Sequence, residues 1–124
     1  MIVKFINNAK FTHESVSLND LYLVLAVSFI ANLGAGEAIF QILNKHGGIS
    51  HVPVSCFDIV DGRSSAYWAA RLDADGSLLL WPKEFFAEYF HDDLSDGAIT
   101  AREKFDGVVN LLQEESGFVA SRNK

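Results

Sequence analysis

The side chains best suited to chemistry are the four histidines and the single cysteine, which are His13, His46, His51, His91 and Cys56. Cys56 follows His51 by five residues, and on a strand this odd spacing points two side chains to opposite faces. A thiolate–imidazole pair for nucleophilic catalysis would therefore need a bulge or a turn, and a small buried thiol is the simpler interpretation. The histidines lack zinc-site spacing, which places two ligands one helical turn apart with a third nearby. The sequence thus predicts neither a catalytic residue nor a metal site.

Two carboxylate-containing stretches need no active site to explain them. The stretch "FDIVDGR" could supply Asp58 and Asp61 as an acid–base pair, but a turn at Asp61-Gly62 accounts for these residues. The triplet His91-Asp92-Asp93 resembles the paired His-Asp of metal phosphohydrolases, which need further ligands on separate helices. We interpret the triplet as a solvated helix end.

A glycine-rich stretch, "ANLGAGEAIFQ", could bring the backbone close to a ligand. Followed by "VSCFDIVDG", it resembles the opening of a class I methyltransferase. That resemblance implies that Gly34 and Gly36 form the ligand-binding loop and that Asp58 accepts hydrogen bonds from the ribose hydroxyls.

The surroundings of this stretch argue against a cofactor. Glu37 would place a negative charge against the loop, and Asn32 stands where these methyltransferases usually carry an acid. Only 66 residues follow Asp58, too few for the remaining βα units. We therefore predict no cofactor. An S-adenosylmethionine- or nucleotide-binding enzyme fragment that uses Gly34 and Gly36 stays an alternative.

Length and composition predict one soluble domain. The 124 residues fit a single domain over 1–124, and 49% of them are hydrophobic, enough to form a core without disulfides. Cys56 has no partner for an internal disulfide, and charges interrupt the N-terminus before any long apolar stretch, so we expect a cytoplasmic protein. The uncharged segment 21–36 is shorter than the ~20 apolar residues of a membrane span, so we expect no membrane contact.

The first half of the chain predicts one short strand and two helical segments. Residues 2–6 have strand composition, and Ser17 could cap a helix that begins at "SLND". The run after it is apolar nearly all round, which is typical of a buried helix, although Val24, Val27 and Ile30 leave a strand open. The segment "GEAIFQILNKHGG" predicts a second helix that ends at Gly47-Gly48.

The second half predicts strands and then helices. "ISHVPVSCFDIV" has strand composition, and its proline indicates an edge or a break. Two apolar runs flank Asp73-Ala74-Asp75-Gly76, which predicts a β-hairpin. A helix is expected over 82–93, with Phe85, Phe86, Tyr89 and Phe90 as its apolar stripe, and another over about 99–115. The predicted fold is therefore α+β, a small antiparallel sheet with a β-hairpin packed by three or four helices.

Charge is the most informative feature of the sequence. The net charge is −6, and residues 83–115 contain nine anionic and three cationic residues, so the whole excess lies there. Five of these acids are the predicted partner-binding residues: Glu84, Glu88, Asp92, Asp93 and Asp96. The first three recur every four residues, which would form an acidic row on a helix. This row could be a solvated face, or it could attract a basic protein partner. Direct nucleic-acid binding is not expected, because phosphates need cations.

A small, acidic, single-domain chain with a lone cysteine resembles the immunity proteins of bacterial toxin systems, such as contact-dependent growth inhibition. Local likeness lies in "YWAARLDADGSLLLWPKEFFAEYF", a hairpin that leads into an acidic amphipathic helix. The resemblance implies a cytoplasmic, non-enzymatic inhibitor that covers the active site of a basic toxin domain, often a nuclease. We expect a monomer or a weak homodimer. A homo-oligomeric structural protein, in which subunits bury segment 21–36, is a further alternative.

Overall fold

The structure is a computed structural model that describes residues 1–6, 15–31 and 37–118. Its elements, in chain order, are β1 (Ile2–Phe5), β2 (Leu21–Ile30), β3 (Glu37–Leu43), β4 (Ile49–Pro53), β5 (Phe57–Asp61), β6 (Trp68–Leu72), β7 (Leu78–Pro82), α1 (Phe90–Ser95) and α2 (Ile99–Ser116). Two 3₁₀ turns, Val54–Cys56 and Lys83–Phe86, follow β4 and β7. Within the described ranges there are thus seven strands and two α-helices. The prediction of three or four helices around a small sheet was wrong.

The long strand β2 organises the sheet, in which every pairing is antiparallel. Strand order along the main path is β4-β3-β2-β1-β5. On the edge of β2 that faces away from β3, β1 pairs with the first three residues and β7 pairs with Val27 to Phe29. The sheet therefore forks along β2, and β6 extends the branch that begins with β7.

Burial on both faces explains why β2 lacks a strand pattern in the sequence. Tyr22 and Val24 enter one core, whereas Leu23 and Leu25 enter another on the opposite face. A strand covered on both faces must be apolar at every position, so alternation disappears. A buried helix over this run was therefore the wrong alternative, and the strand is the observed one.

The first core, here called the strand-side core, lies inside a curl of five strands. The 3₁₀ turn after Pro53 connects β4 to β5, which are the two ends of the path. The four Cα–Cα steps from Pro53 to Phe57 span at most about 14 Å. In a flat five-stranded sheet, the two outer strands would lie about 19 Å apart. The strands must therefore curl, and the enclosed space holds Val3, Phe5, Val16, Tyr22, Val24, Val27, Phe40, Ile42, Val52, Cys56 and Phe57.

The helices cover the opposite face and enclose the second core, here called the helix-side core. Helix α2 buries Ala101, Phe105, Val108, Val109 and Leu112, which are the residues that its periodicity predicts. It ends at Gly117, whose φ of 71° is the left-handed conformation that favours glycine. Residues 99–116 therefore confirm the predicted last helix.

One hairpin of the structure was predicted correctly, and another was mistaken for a helix. Strands β6 and β7 pair from Trp68↔Pro82 to Leu72↔Leu78, and Gly76 has a φ of 90°, which confirms the hairpin expected around Asp73-Ala74-Asp75-Gly76. The helix expected over 36–48 is wrong, because its described residues form β3, a turn and the approach to β4. The Asn44 side chain accepts hydrogen bonds from the backbone N–H groups of His46 and Gly48, which closes that turn. Ser17 likewise precedes a strand rather than capping a helix.

Candidate protein-binding surface

The acidic segment is not one helix. Lys83–Phe86 is a 3₁₀ turn, Ala87 is extended, and Tyr89 has a left-handed φ of 62° before α1 begins at Phe90. Phe85 and Phe90 are both buried and their rings stack with centroids 5.0 Å apart. In a continuous helix, residues five apart point about 140° away from each other. The break in the helix lets both rings enter the helix-side core.

This break redistributes the five predicted acids, here called the acidic surface: Glu84, Glu88, Asp92, Asp93 and Asp96. Glu84 is half-buried in the 3₁₀ turn, Glu88 is exposed in the break, and the three aspartates are exposed on and just after α1. The expected row of Glu84, Glu88 and Asp92 along one helix face is therefore wrong, although all five acids lie within one short, irregular segment.

None of these carboxylates is neutralised within residues 1–6, 15–31 and 37–118. The ion pairs in this part of the chain join Arg63 to Asp61, Arg71 to Asp73, and Arg102 to Asp106. No side-chain hydrogen bond caps α1 either. The acidic surface thus presents its charge to solvent.

Tyr89 projects from the middle of the acidic surface. Its side chain is 66% exposed, and its left-handed backbone is costly for a residue with a Cβ. Beside it lies a cavity of about 280 Å³, lined by Trp81, Phe86 and Asp92 among others. The Arg71 guanidinium lies over the Phe86 ring at 4.7 Å from its centroid, so this aromatic surface already binds one cation.

The tryptophans are not exposed anchors. Trp68 and Trp81 are both half-buried, and each indole N–H donates a hydrogen bond inside the fold. Trp68 Nε1 donates to the Leu25 carbonyl, beside the bulge of β2 where the sheet forks. Trp81 Nε1 donates to the buried Ser28 hydroxyl. Both indole N–H groups are therefore used within the fold.

The structure brings together two histidines that lie 40 residues apart in the sequence. His51 on β4 and His91 on α1 have ring centroids 5.9 Å apart, and His91 Nε2 lies 2.8 Å from Oε1 of Gln41. Gln41 pairs in register with His51 and is only 1% exposed. No local signal in the sequence marks this cluster, because its members come from three elements that meet only in the folded protein.

Desolvation sets the protonation state of this pair. Partial burial lowers the pKa of His51 and, with the neighbouring positive charge of His51, that of His91, while Asp92 opposes the effect on His91. Both imidazoles are therefore neutral at pH 7.

The remaining candidates for chemistry separate in space. Cys56 is buried in the strand-side core, whereas His51 faces the helices, so the two do not form a nucleophile–base pair. The Arg63 guanidinium holds the pKa of the half-buried Asp61 carboxyl well below its usual range, and Asp58 is exposed on the edge strand β5. Gly34 and Gly36 lie outside the described residues.

A metal site and a membrane-spanning helix are both absent from the described part of the chain. No group of three or more histidine, cysteine or acidic side chains is placed there to hold a metal ion. Neither α-helix of that part is long and apolar enough to cross a membrane.

Comparison with known proteins adds no assignment, since no family model, no curated protein and no solved structure matches the chain.

Proposed function

We propose that the chain is a non-enzymatic binding protein, an immunity or inhibitor protein that neutralises a basic toxin domain. The observation that carries this proposal is the acidic surface, whose five carboxylates have no cationic partner within the described residues. Like charges gathered in this way raise the electrostatic energy of the folded chain. A cationic partner removes that cost on binding and is attracted from a distance.

Tyr89 lies in the middle of the acidic surface. Strained backbone clusters at functional sites, and tyrosines are enriched among the residues that dominate binding energy. A partner arginine near Tyr89 would meet aromatic rings together with the Asp92 carboxylate. The contact between Arg71 and Phe86 is the intramolecular counterpart of that interaction.

The toxin activity that fits best is a nuclease. Its active site holds cations arranged for phosphates, and carboxylates at similar positions can occupy it instead. In this proposal Glu84, Glu88, Asp92, Asp93 and Asp96 cover that site, and the chain does not bind nucleic acid itself. The protein acts in the cytoplasm, as a monomer or a weak homodimer.

The homo-oligomer alternative has less support from the described part of segment 21–36. Residues 22–28 are already buried within one chain, although Leu21 and Phe29 stay exposed. Subunit association is therefore not needed to remove this run from water.

Co-expression tests the proposal. The chain would be produced together with the C-terminal domain of a large toxin-like protein encoded beside it. We expect restored growth and a complex that co-elutes in size-exclusion chromatography and dissociates as the salt concentration rises. The matched control is the double variant Asp20→Lys/Glu37→Lys, which changes exposed acids elsewhere and should still protect. Unprotected cells together with the absence of a complex would contradict the proposal.

A further inference from the structure

A second cleft, next to the acidic surface, lies between β4 and the two helices. Its volume is about 400 Å³, within the range of small-molecule pockets. Among the described residues that line it are the imidazoles of His51 and His91, the Arg102 guanidinium and the apolar side chains of Ile49 and Leu94, and none of them is a carboxylate. In a chain of net charge −6, a cleft lined only by neutral and cationic side chains stands apart from the rest of the surface.

The Nη groups of Arg102 are hydrogen-bond donors that no described residue uses. The Nε of Arg102 lies 3.1 Å from Oδ1 of Asp106 in an ion pair, and its guanidinium lies over the Phe105 ring, 5.3 Å from the centroid. An Nη atom reaches to within 3.7 Å of where a Cβ on Gly47 would lie, at the β3–β4 turn. No acceptor in the described residues hydrogen-bonds to the Nη groups, so they can bind an anion.

The buried Gln41 side chain fixes the orientation of His91. Gln41 Oε1 can only accept, so His91 Nε2 carries the proton of that hydrogen bond, and Nδ1 is the atom left to titrate. His51, the cross-strand neighbour of Gln41, adds a second imidazole 5.9 Å away between centroids. Two imidazoles and a guanidinium from β4, α1 and α2 thus line one space.

We propose that this cleft, here called the His51–His91–Arg102 cleft, binds a small molecule that carries a phosphate or carboxylate group. Arg102 Nη and the protonated imidazoles donate to the anionic oxygens, while Ile49 and Leu94 contact the apolar part of the ligand. This site goes beyond the proposed inhibitor function and does not depend on it, because it uses none of the five acids of the acidic surface.

The charged groups around the cleft set its pH dependence. Arg102 faces the histidines from α2, with Asp106 paired to it, and Asp92 follows His91 on α1. Without a ligand, burial lowers the pKa values of both imidazoles, and the neighbouring His51 lowers that of His91 further. A bound anion favours the protonated imidazoles and so raises their pKa values. Binding should therefore take up protons and strengthen as the pH falls below about 6.5.

Histidine pKa values measured by NMR test the site on the full chain. The Cε1–H resonances would be titrated in a chloride buffer, then with inorganic phosphate or acetate added at equal ionic strength. We expect one or both anions to raise the pKa values of His51 and His91. A response to phosphate assigns a phosphate ligand, and a response to acetate alone assigns a carboxylate.

Two variants locate the binding. Arg102→Gln should weaken the binding of the responsive anion by about tenfold or more, since a charge-assisted hydrogen bond is lost. Arg63→Gln is the matched control, because Arg63 is also an exposed arginine paired with one aspartate, and it should bind as the unchanged chain does. Unmoved pKa values of His51 and His91 with both anions would overturn the proposal. Undiminished binding by the Arg102→Gln variant would overturn it as well.

Discussion

The two cores on either side of β2 satisfy their aromatic polar groups differently. In the strand-side core the Tyr22 hydroxyl accepts from the Ser17 N–H, and Trp68, packed against that core, donates to a backbone carbonyl. On the helix side, Trp81 bonds to the Ser28 side chain and His91 to that of Gln41. Backbone partners do not titrate and cannot be substituted, whereas side-chain partners can change. The polar contacts that substitution can change therefore lie on the helix side, which also carries the acidic surface.

The largest effect on this comparison is expected from removing an aromatic ring in the helix-side core. Phe105 is 1% exposed, and Phe105→Ala should lower the free energy of unfolding by about 3–5 kcal/mol through lost burial and a cavity. Leu111→Ala, at a side chain 39% exposed on the same helix, should change it by no more than about 0.5 kcal/mol. Urea unfolding measures both, and equal losses would show that α2 does not pack as described.

The hydrogen bond between Gln41 and His91 should give the next largest effect. Gln41→Leu leaves the His91 N–H without its partner and should lower the free energy of unfolding by about 1–3 kcal/mol. Adding His91→Phe should recover part of this loss, since neither polar group is then stranded. A double-mutant cycle measures the coupling between them. Purely additive losses would contradict a direct bond and remove the contrast between the cores.

Backbone strain at Tyr89 predicts a smaller difference. Glycine adopts the left-handed conformation without a steric penalty, so the Tyr89→Gly variant should be more stable than Tyr89→Ala by about 1 kcal/mol. Both variants should lose affinity for the toxin domain to a similar extent, because both lack the ring. Stability comes from thermal unfolding and affinity from calorimetry. An alanine variant as stable as the glycine variant would refute the strain.

The most gradual effect is expected from pH. Because burial lowers the pKa values of His51 and His91, their neutral forms stabilise the folded state fully above the unfolded value of about 6.5. That stabilisation is lost as the pH falls through 6.5 toward the folded values. Urea unfolding in a chloride buffer between pH 7.5 and pH 5.5 should record the decline, and the His51→Gln/His91→Gln variant should reduce it. A slope unchanged in that variant would assign the decline to other groups.

Local patterns predicted those parts of the fold whose structure is decided locally. The hairpin around Gly76 and the helix that buries Phe105 carry their own turn chemistry and periodicity, and both were confirmed. The run of β2 was left open between helix and strand, because burial on two faces removes the alternation that marks a strand. Strand β3 was predicted as a helix. The helix over 82–93 failed because Phe85 and Phe90 both had to enter one core.

The candidate site also has a part that the sequence predicts and a part that it does not. The acids could be found from the sequence, since an excess of charge in one segment is visible without a fold. Their arrangement could not, because the break at Tyr89 depends on the packing of the core beneath it. The pairing of His51 with His91 was out of reach too, since three separate elements create it.

Charge reversal on the acidic surface tests the central claim most directly. The variant Glu88→Lys/Asp92→Lys would be titrated calorimetrically into the toxin domain from the co-expression experiment, at physiological ionic strength, beside Asp20→Lys/Glu37→Lys, which has the same net charge. We predict that reversal at Glu88 and Asp92 weakens binding at least about a hundredfold, while the control binds nearly as well as the unchanged chain. Undiminished affinity of the Glu88→Lys/Asp92→Lys variant would contradict the proposal that this surface recognises the partner.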